Sequence, residues 1–135
     1  MDQHAAPAKQ RIVVIDDSRD ARRTCQLLLA RLGHEVRTAE DATTGLELCR
    51  EFQPHSVLCD ISLPGMDGYE FARTVRQDPE LSRVRLIAQT GHGLEDDIAR
   101  SKAAGFDLHL TKPVDFTVLM RVFSAGSAGA SGQPG

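Results

Sequence analysis

The chain has 135 residues, 41% apolar and 26% charged, with a formal net charge of -3. That length holds one core without disulfide or metal staples, and the mild acidity, with scattered arginines and only 4% aromatics, excludes a nucleic-acid-binding stripe. No run approaches the roughly 18 apolar residues of a membrane span, so a soluble cytoplasmic protein with no direct nucleic-acid or membrane partner is expected.

Residues 1–10 are polar and read as a flexible lead. Arg11 to Asp16 is β-branched and almost continuously apolar, the pattern of a strand covered on both faces. Ser18 then caps a helix in which Ala21, Cys25, Leu28 and Leu32 recur at helical spacing and Gly33 supplies a left-handed exit. The outer face of this helix takes Arg19, Arg22, Arg23 and Arg31. Glu35 to Ala39 alternates like a short edge strand. Asp41 opens a second helix that places Leu46, Cys49 and Phe52 on one side and is expected to end at Pro54.

His55 to Asp60 is the third apolar strand. The Leu63-Pro64-Gly65-Met66 turn leads into Asp67-Gly68-Tyr69-Glu70, an Asp variant of the capping box, and a helix burying Phe71 and Val75 up to Asp78-Pro79. Val84 to Gln89 gives the fourth strand, followed by a helix from about Leu94 to Ala104 that stops at Gly105. Leu108 to Leu110 and a helix beginning near Asp115, with Val118, Leu119 and Val122, complete the series. Residues 124–135 contain only Ser, Ala, Gly, Gln and Pro and read as a disordered tail, which leaves 11–123 as the domain. Five strands alternating with five helices predict an α/β fold of three layers, a parallel sheet covered on both faces.

Cys25, Cys49 and Cys59 fall inside apolar runs without C-x-x-C spacing, which predicts buried thiols in a reducing setting. His4, His34 and His55 have no carboxylates at metal-binding spacing and are expected to be solvated or in loops, without a role.

The carboxyl ends of parallel strands share one edge, and that edge is where this sequence changes character. Asp16-Asp17 follows the first strand, Asp60 closes the third, Thr90 follows the fourth, and Lys112-Pro113 follows the fifth. Three ionised carboxylates within a few Å repel unless one is protonated or a cation is bound, and a hard divalent ion such as Mg²⁺ suits carboxylates, a carbonyl and waters. A metal flanked by a fixed ammonium and a hydroxyl is the equipment of phosphoryl transfer, in which charge spreads over three equatorial oxygens.

With Asp16-Asp17, Asp60, Leu63-Pro64-Gly65-Met66-Asp67-Gly68, Thr90 and Lys112-Pro113 in this order, the chain resembles the receiver domain of two-component response regulators from Arg11 to about Phe123. The resemblance implies a flavodoxin-like strand order, 2-1-3-4-5. It implies Asp60 as the phosphoacceptor for a phosphohistidine on a histidine kinase or phosphotransfer protein. It further implies that Asp17, Asp60 and the Ser62 carbonyl ligate Mg²⁺, with Asp16 acting mainly through a bound water. Lys112 is expected to pair with Asp60 and then with a phosphoryl oxygen, Thr90 to move toward another, and the Lys112-Pro113 bond to be cis.

In the family an aromatic residue three positions before the lysine swings with the threonine, and here that position is His109, a departure. Ser62 and His92 stand where such domains tune the lifetime of the phosphoryl group. The arginines of the first helix lie where receivers dock their donor, and a downstream target is expected on the face of the fourth helix, fifth strand and fifth helix. Such a protein is a switch with intrinsic self-phosphorylation and self-dephosphorylation rather than an enzyme. Two other functions compete: a degenerate receiver that binds partners without phosphorylation, which the complete ionic set disfavours, and a haloacid dehalogenase-type phosphatase, which needs an Asp where Ser62 stands.

Overall fold

A computed structural model of the chain describes residues 9–91 and 95–123. It contains β1 (Arg11–Ile15), α1 (Arg19–Arg31), β2 (Glu35–Ala39), α2 (Ala42–Phe52), β3 (Ser56–Asp60), α3 (Gly68–Gln77), β4 (Arg85–Thr90), α4 (Glu95–Ala104), β5 (Leu108–Thr111) and α5 (Phe116–Phe123). The strands form one parallel sheet in the order β2-β1-β3-β4-β5, the α/β arrangement that the sequence predicts. No helix among the described residues is long and apolar enough to cross a membrane.

Alternation within each central strand builds two cores. Val13 and Ile15 of β1 pack with Val57 and Cys59 of β3 against α2 and α3, including Leu46, Phe52, Phe71 and Val75. Ile12, Val14 and Leu58 point the other way and meet Cys25 and Leu29 of α1 and Leu119, Val122 and Phe123 of α5. Both faces of β1 and β3 are therefore buried, which is why their sequences run apolar without a break. The edge strand β2 shows the predicted alternation and is only partly buried.

Caps fix the ends of the helices. Ser18, Asp41 and Asp67 accept hydrogen bonds from the backbone of Ala21, Thr44 and Glu70 at 3.2, 2.8 and 2.9 Å. Gly33 leaves α1 with φ +96°. The second helix ends at Phe52, just ahead of Pro54 as expected, and Gln53 closes it by taking the left-handed conformation at φ 51° with its N–H bonding the Cys49 carbonyl. Pro54 contributes by disfavouring a helical Gln53, the residue before it. In α1 the innermost side chain is Leu29, fully buried, while Ala21, Leu28 and Leu32 are half-buried. The run Leu27-Leu28-Leu29 blurs the phase of the stripe, and Leu27 ends up 58% exposed.

Two histidines expected to be solvated or without a role are backbone acceptors instead. Gln10 N donates to His34 Nδ1 at 3.0 Å, and Arg11 N donates to His55 Nδ1 at 2.9 Å, so each ring satisfies an amide at the start of β1. Burial lowers the pKa of both, helped for His55 by the Arg11 charge and opposed for His34 by the Phe123 carbonyl. The lead also proves tied down at its end. Gln10 is 1% exposed, accepts from Ser56 Oγ at 2.9 Å and donates to the Phe123 carbonyl. Residues 1–8, residues 124–135 and His92 lie outside the described residues.

Candidate functional site

The sheet order places β1 and β3 side by side, with Ile15 paired to Cys59, so the residues that follow them meet at one edge. Asp16, Asp17 and Asp60 each present a carboxylate oxygen there, all within 4.8 Å of one another. Asp16 and Asp60 are 1% and 6% exposed, and Asp17 is open to solvent. Asp60 is held at both oxygens: Ser62 N donates to Oδ1 at 3.0 Å and Lys112 Nζ to Oδ2 at 2.9 Å. Asp16 Oδ1 accepts from Ser18 N at 2.9 Å, which ties the acid to the cap of α1.

Lys112 is the hub. Its ammonium also lies 3.0 Å from Asp16 Oδ2 as an ion pair, although that buried oxygen accepts no directed hydrogen bond. Burial works against the charge on Lys112, yet its hydrogen bond to Asp60 and its pairing with the charges of Asp60 and Asp16 prevail and its pKa is raised. The backbone fixes its place, since Lys112 N donates to the Thr90 carbonyl at 2.7 Å and the following bond to Pro113 is cis, as the resemblance implies.

Close packing under the acids depends on Gly68. A Cβ there would stand 2.7 Å from Ile61 Cα and 2.8 Å from the Asp60 carbonyl oxygen, so only glycine lets α3 begin against the end of β3. Its N–H bonds the Ile61 carbonyl at 3.0 Å, which anchors the loop carrying Ser62.

Thr90 is 4% exposed, and its Oγ1 is 3.0 Å from His109 Nε2. The residue that departs from the family pattern, His109, is therefore within hydrogen-bond distance of the threonine hydroxyl. Burial lowers the His109 pKa, with Asp97 pulling the other way. Sequence reasoning missed two further residues. Arg22, assigned to a solvated face, is half-buried and donates from Nη1 to the Asp16 carbonyl at 2.9 Å. Gln89 sat unnoticed inside an apolar run, yet it is a polar side chain buried beside the site; its only signal was being the one amide in that strand.

The donor set fits a hard divalent cation. It consists of oxygens alone, it includes a buried carboxylate oxygen with no hydrogen bond, and three carboxylates against one ammonium leave two formal negative charges. The three cysteines are buried and free, and burial pushes Cys49 up to about 12, so none adds a soft ligand.

Comparison with known proteins agrees with this geometry. A family model described as the response regulator receiver domain matches residues 12–124. Protein PilH of Pseudomonas aeruginosa is 35% identical over 119 residues, which cover 88% of this chain and 98% of that protein. The chemotaxis protein CheY4 of Vibrio cholerae superposes with a TM-score of 0.81 at 25% identity, over 85% of this chain and 96% of the other. The Mn²⁺-bound form of response regulator Rcp1 superposes with a TM-score of 0.72 at 25% identity, over 84% and 91%. Neither the dehalogenase-type phosphatase nor the phosphorylation-independent module gains support. The chain belongs to the receiver domain family of response regulators, modules that work with histidine kinases or phosphotransfer proteins in two-component signalling.

Proposed function

We propose that Asp60 takes a phosphoryl group from the phosphohistidine of a kinase or phosphotransfer protein, with Mg²⁺ held by Asp16, Asp17, Asp60 and the Ser62 carbonyl. The observation that carries the reading is Lys112 Nζ, standing 2.9 and 3.0 Å from two buried carboxylates beside a third. An exposed lysine has no need of such company, whereas a lysine awaiting a phosphoryl oxygen does. Mg²⁺, when bound, supplies charge neutralisation for the incoming phosphoryl oxygens.

The chain's own residues do the rest. The Ser62 amide orients the Asp60 carboxylate by binding Oδ1, so the nucleophile meets phosphorus in one rotamer. Lys112 stabilises the developing negative charge and stays beside Asp60 through its backbone bond to Thr90. The same bond links the lysine to the switch. Thr90 leaves His109 for a phosphoryl oxygen, and His109, released, repositions at the α4–β5 surface. The α4–β5–α5 face then presents a changed surface to a downstream protein, and α5 already exposes Phe116 and Met120. The chain is a switch rather than an enzyme, with self-phosphorylation and self-dephosphorylation as its only turnover. Its buried, reduced cysteines suit the cytoplasm.

Incubation with Mg²⁺ and acetyl phosphate should add one phosphoryl group to the intact protein by mass, and Asp60→Asn should abolish it. Unchanged labelling of the Asn variant would assign the acceptor to another residue.

A further inference from the structure

Of the three acids at the strand ends, Asp17 has the least to hold it. Asp60 is bonded at both carboxylate oxygens, and Asp16 is buried with Oδ1 on the Ser18 amide. Asp17 is exposed, and its side chain has no hydrogen-bond or ion-pair partner among the described residues. Its carboxylate nevertheless stands within 4.8 Å of the other two. What places it is the backbone, through the planar peptide that joins Asp16 to Asp17 and carries the Asp16 carbonyl.

The Asp16 backbone is clasped on both sides. Its N–H donates to the Ala39 carbonyl of β2 at 3.1 Å, and its carbonyl accepts from Arg22 Nη1 at 2.9 Å. Arg22 is itself seated at the start of α1, with its N–H on the Ser18 carbonyl at 2.9 Å. Charge pairing does not explain its position. Arg22 belongs to none of the ion pairs among the described residues, and it lines one concave surface together with Arg19 and Arg23. A half-buried guanidinium crowded by two like charges would gain more from water, where long cationic side chains put their heads. What it gains by staying is the Asp16 carbonyl.

Resting on the metal-site reading above, we infer that Arg22 is the positioning residue of the acidic cluster: by holding the Asp16 carbonyl it fixes the Asp16–Asp17 peptide and so aims the otherwise unsupported Asp17 carboxylate at the cation. A group that bonds behind a metal ligand in this way commonly governs affinity about tenfold or more. Charge alone predicts the opposite sign, because Arg22 is a cation beside a cation site and its removal should tighten Mg²⁺ binding.

Calorimetric titration of the metal-free protein with Mg²⁺ separates the two. Arg22→Met should bind about tenfold more weakly than the wild type. Arg22→Lys keeps the charge and a donor, and should recover part of the loss. Arg23→Met removes the same charge one residue along without touching the carbonyl, and should bind as tightly as the wild type or more tightly. Should Arg22→Met fail to melt cooperatively in EDTA, Arg22→Lys carries the same comparison with a smaller weakening. Asp60 and Lys112 are untouched in these variants, so saturating Mg²⁺ should return acetyl phosphate labelling of Arg22→Met to the wild-type rate. Unchanged or tighter binding in Arg22→Met, equal weakening in Arg23→Met, or a labelling deficit that survives saturating Mg²⁺ overturns the inference while leaving the metal reading standing. A wild type that binds no Mg²⁺ overturns both.

Discussion

Replacing Lys112 with Met keeps much of the side-chain volume and removes the one ammonium that faces Asp16 and Asp60. At a separation of about 3 Å and an effective dielectric of about 20, each ion pair is worth about 5 kcal/mol before solvation is counted. Most of that is offset by desolvation of the three groups, and the quantity that survives is the cost of stranding the carboxylates, about 3–5 kcal/mol for fully buried pairs. The Lys112 side chain is 28% exposed, so water partly compensates and the lower end applies, about 2–3 kcal/mol. For a domain of this size that is about 10 °C in melting temperature. Because the folded-state pKa of Lys112 is raised, its contribution is complete below its unfolded value of 10.5 and is lost as pH rises through the folded value. The deficit should therefore hold from neutral pH up to about pH 10 and shrink above it. Lys112 also repels a cation, so Lys112→Met should bind Mg²⁺ more tightly while being less stable without it. Urea unfolding in EDTA and calorimetric titration with Mg²⁺ measure the two signs. A variant with wild-type stability in EDTA, or with weaker Mg²⁺ binding, would refute the electrostatic account of the site.

The remaining predictions concern the supports of the site. Gly68→Ala should lose more than about 2 kcal/mol and weaken Mg²⁺ binding, since its Cβ meets backbone that cannot turn aside; denaturation and metal titration check both. His109→Phe deletes the bond to Thr90 and should speed acetyl phosphate labelling about threefold to tenfold, with slower labelling counting against the clamp. The depressed pKa values of His34 and His55 mean that the unfolded chain takes up protons first on acidification, so stability should fall as pH drops below about 6.5. The slope should flatten in His34→Asn with His55→Asn, whose amide oxygens can still accept from Gln10 and Arg11. Arg23→Glu should slow transfer from a donor protein but spare small phosphodonors, and it is a cleaner probe than Arg22, which holds the Asp16 carbonyl.

Much of this was written locally in the chain. Strand-length apolar runs, each ended by Asp, Thr or Lys, located the site because parallel strands share a carboxyl edge. Ser18, Asp41 and Asp67 announced their helices through short side chains that bond the next turn. What escaped depended on contacts between distant segments. Nothing near His34 or His55 signals that they will accept the amides of Gln10 and Arg11, 24 and 44 residues away. Thr90 and His109 meet only because β4 and β5 pair in register, which brings Ala88 opposite His109 and Thr90 opposite Thr111. Gln89 was hidden by its neighbours, since one amide in an apolar run reads as tolerance until its burial is known. The phase of α1 was lost for a different reason: three consecutive leucines leave periodicity nothing to choose between.

A structure determined with Mg²⁺ and beryllofluoride tests the central claim most directly. The account predicts the fluoride group on Asp60, Mg²⁺ among Asp16, Asp17 and Asp60, Lys112 Nζ within hydrogen-bond distance of a fluorine, and Thr90 withdrawn from His109. Beryllofluoride bound elsewhere, or Lys112 turned away from it, would contradict the account.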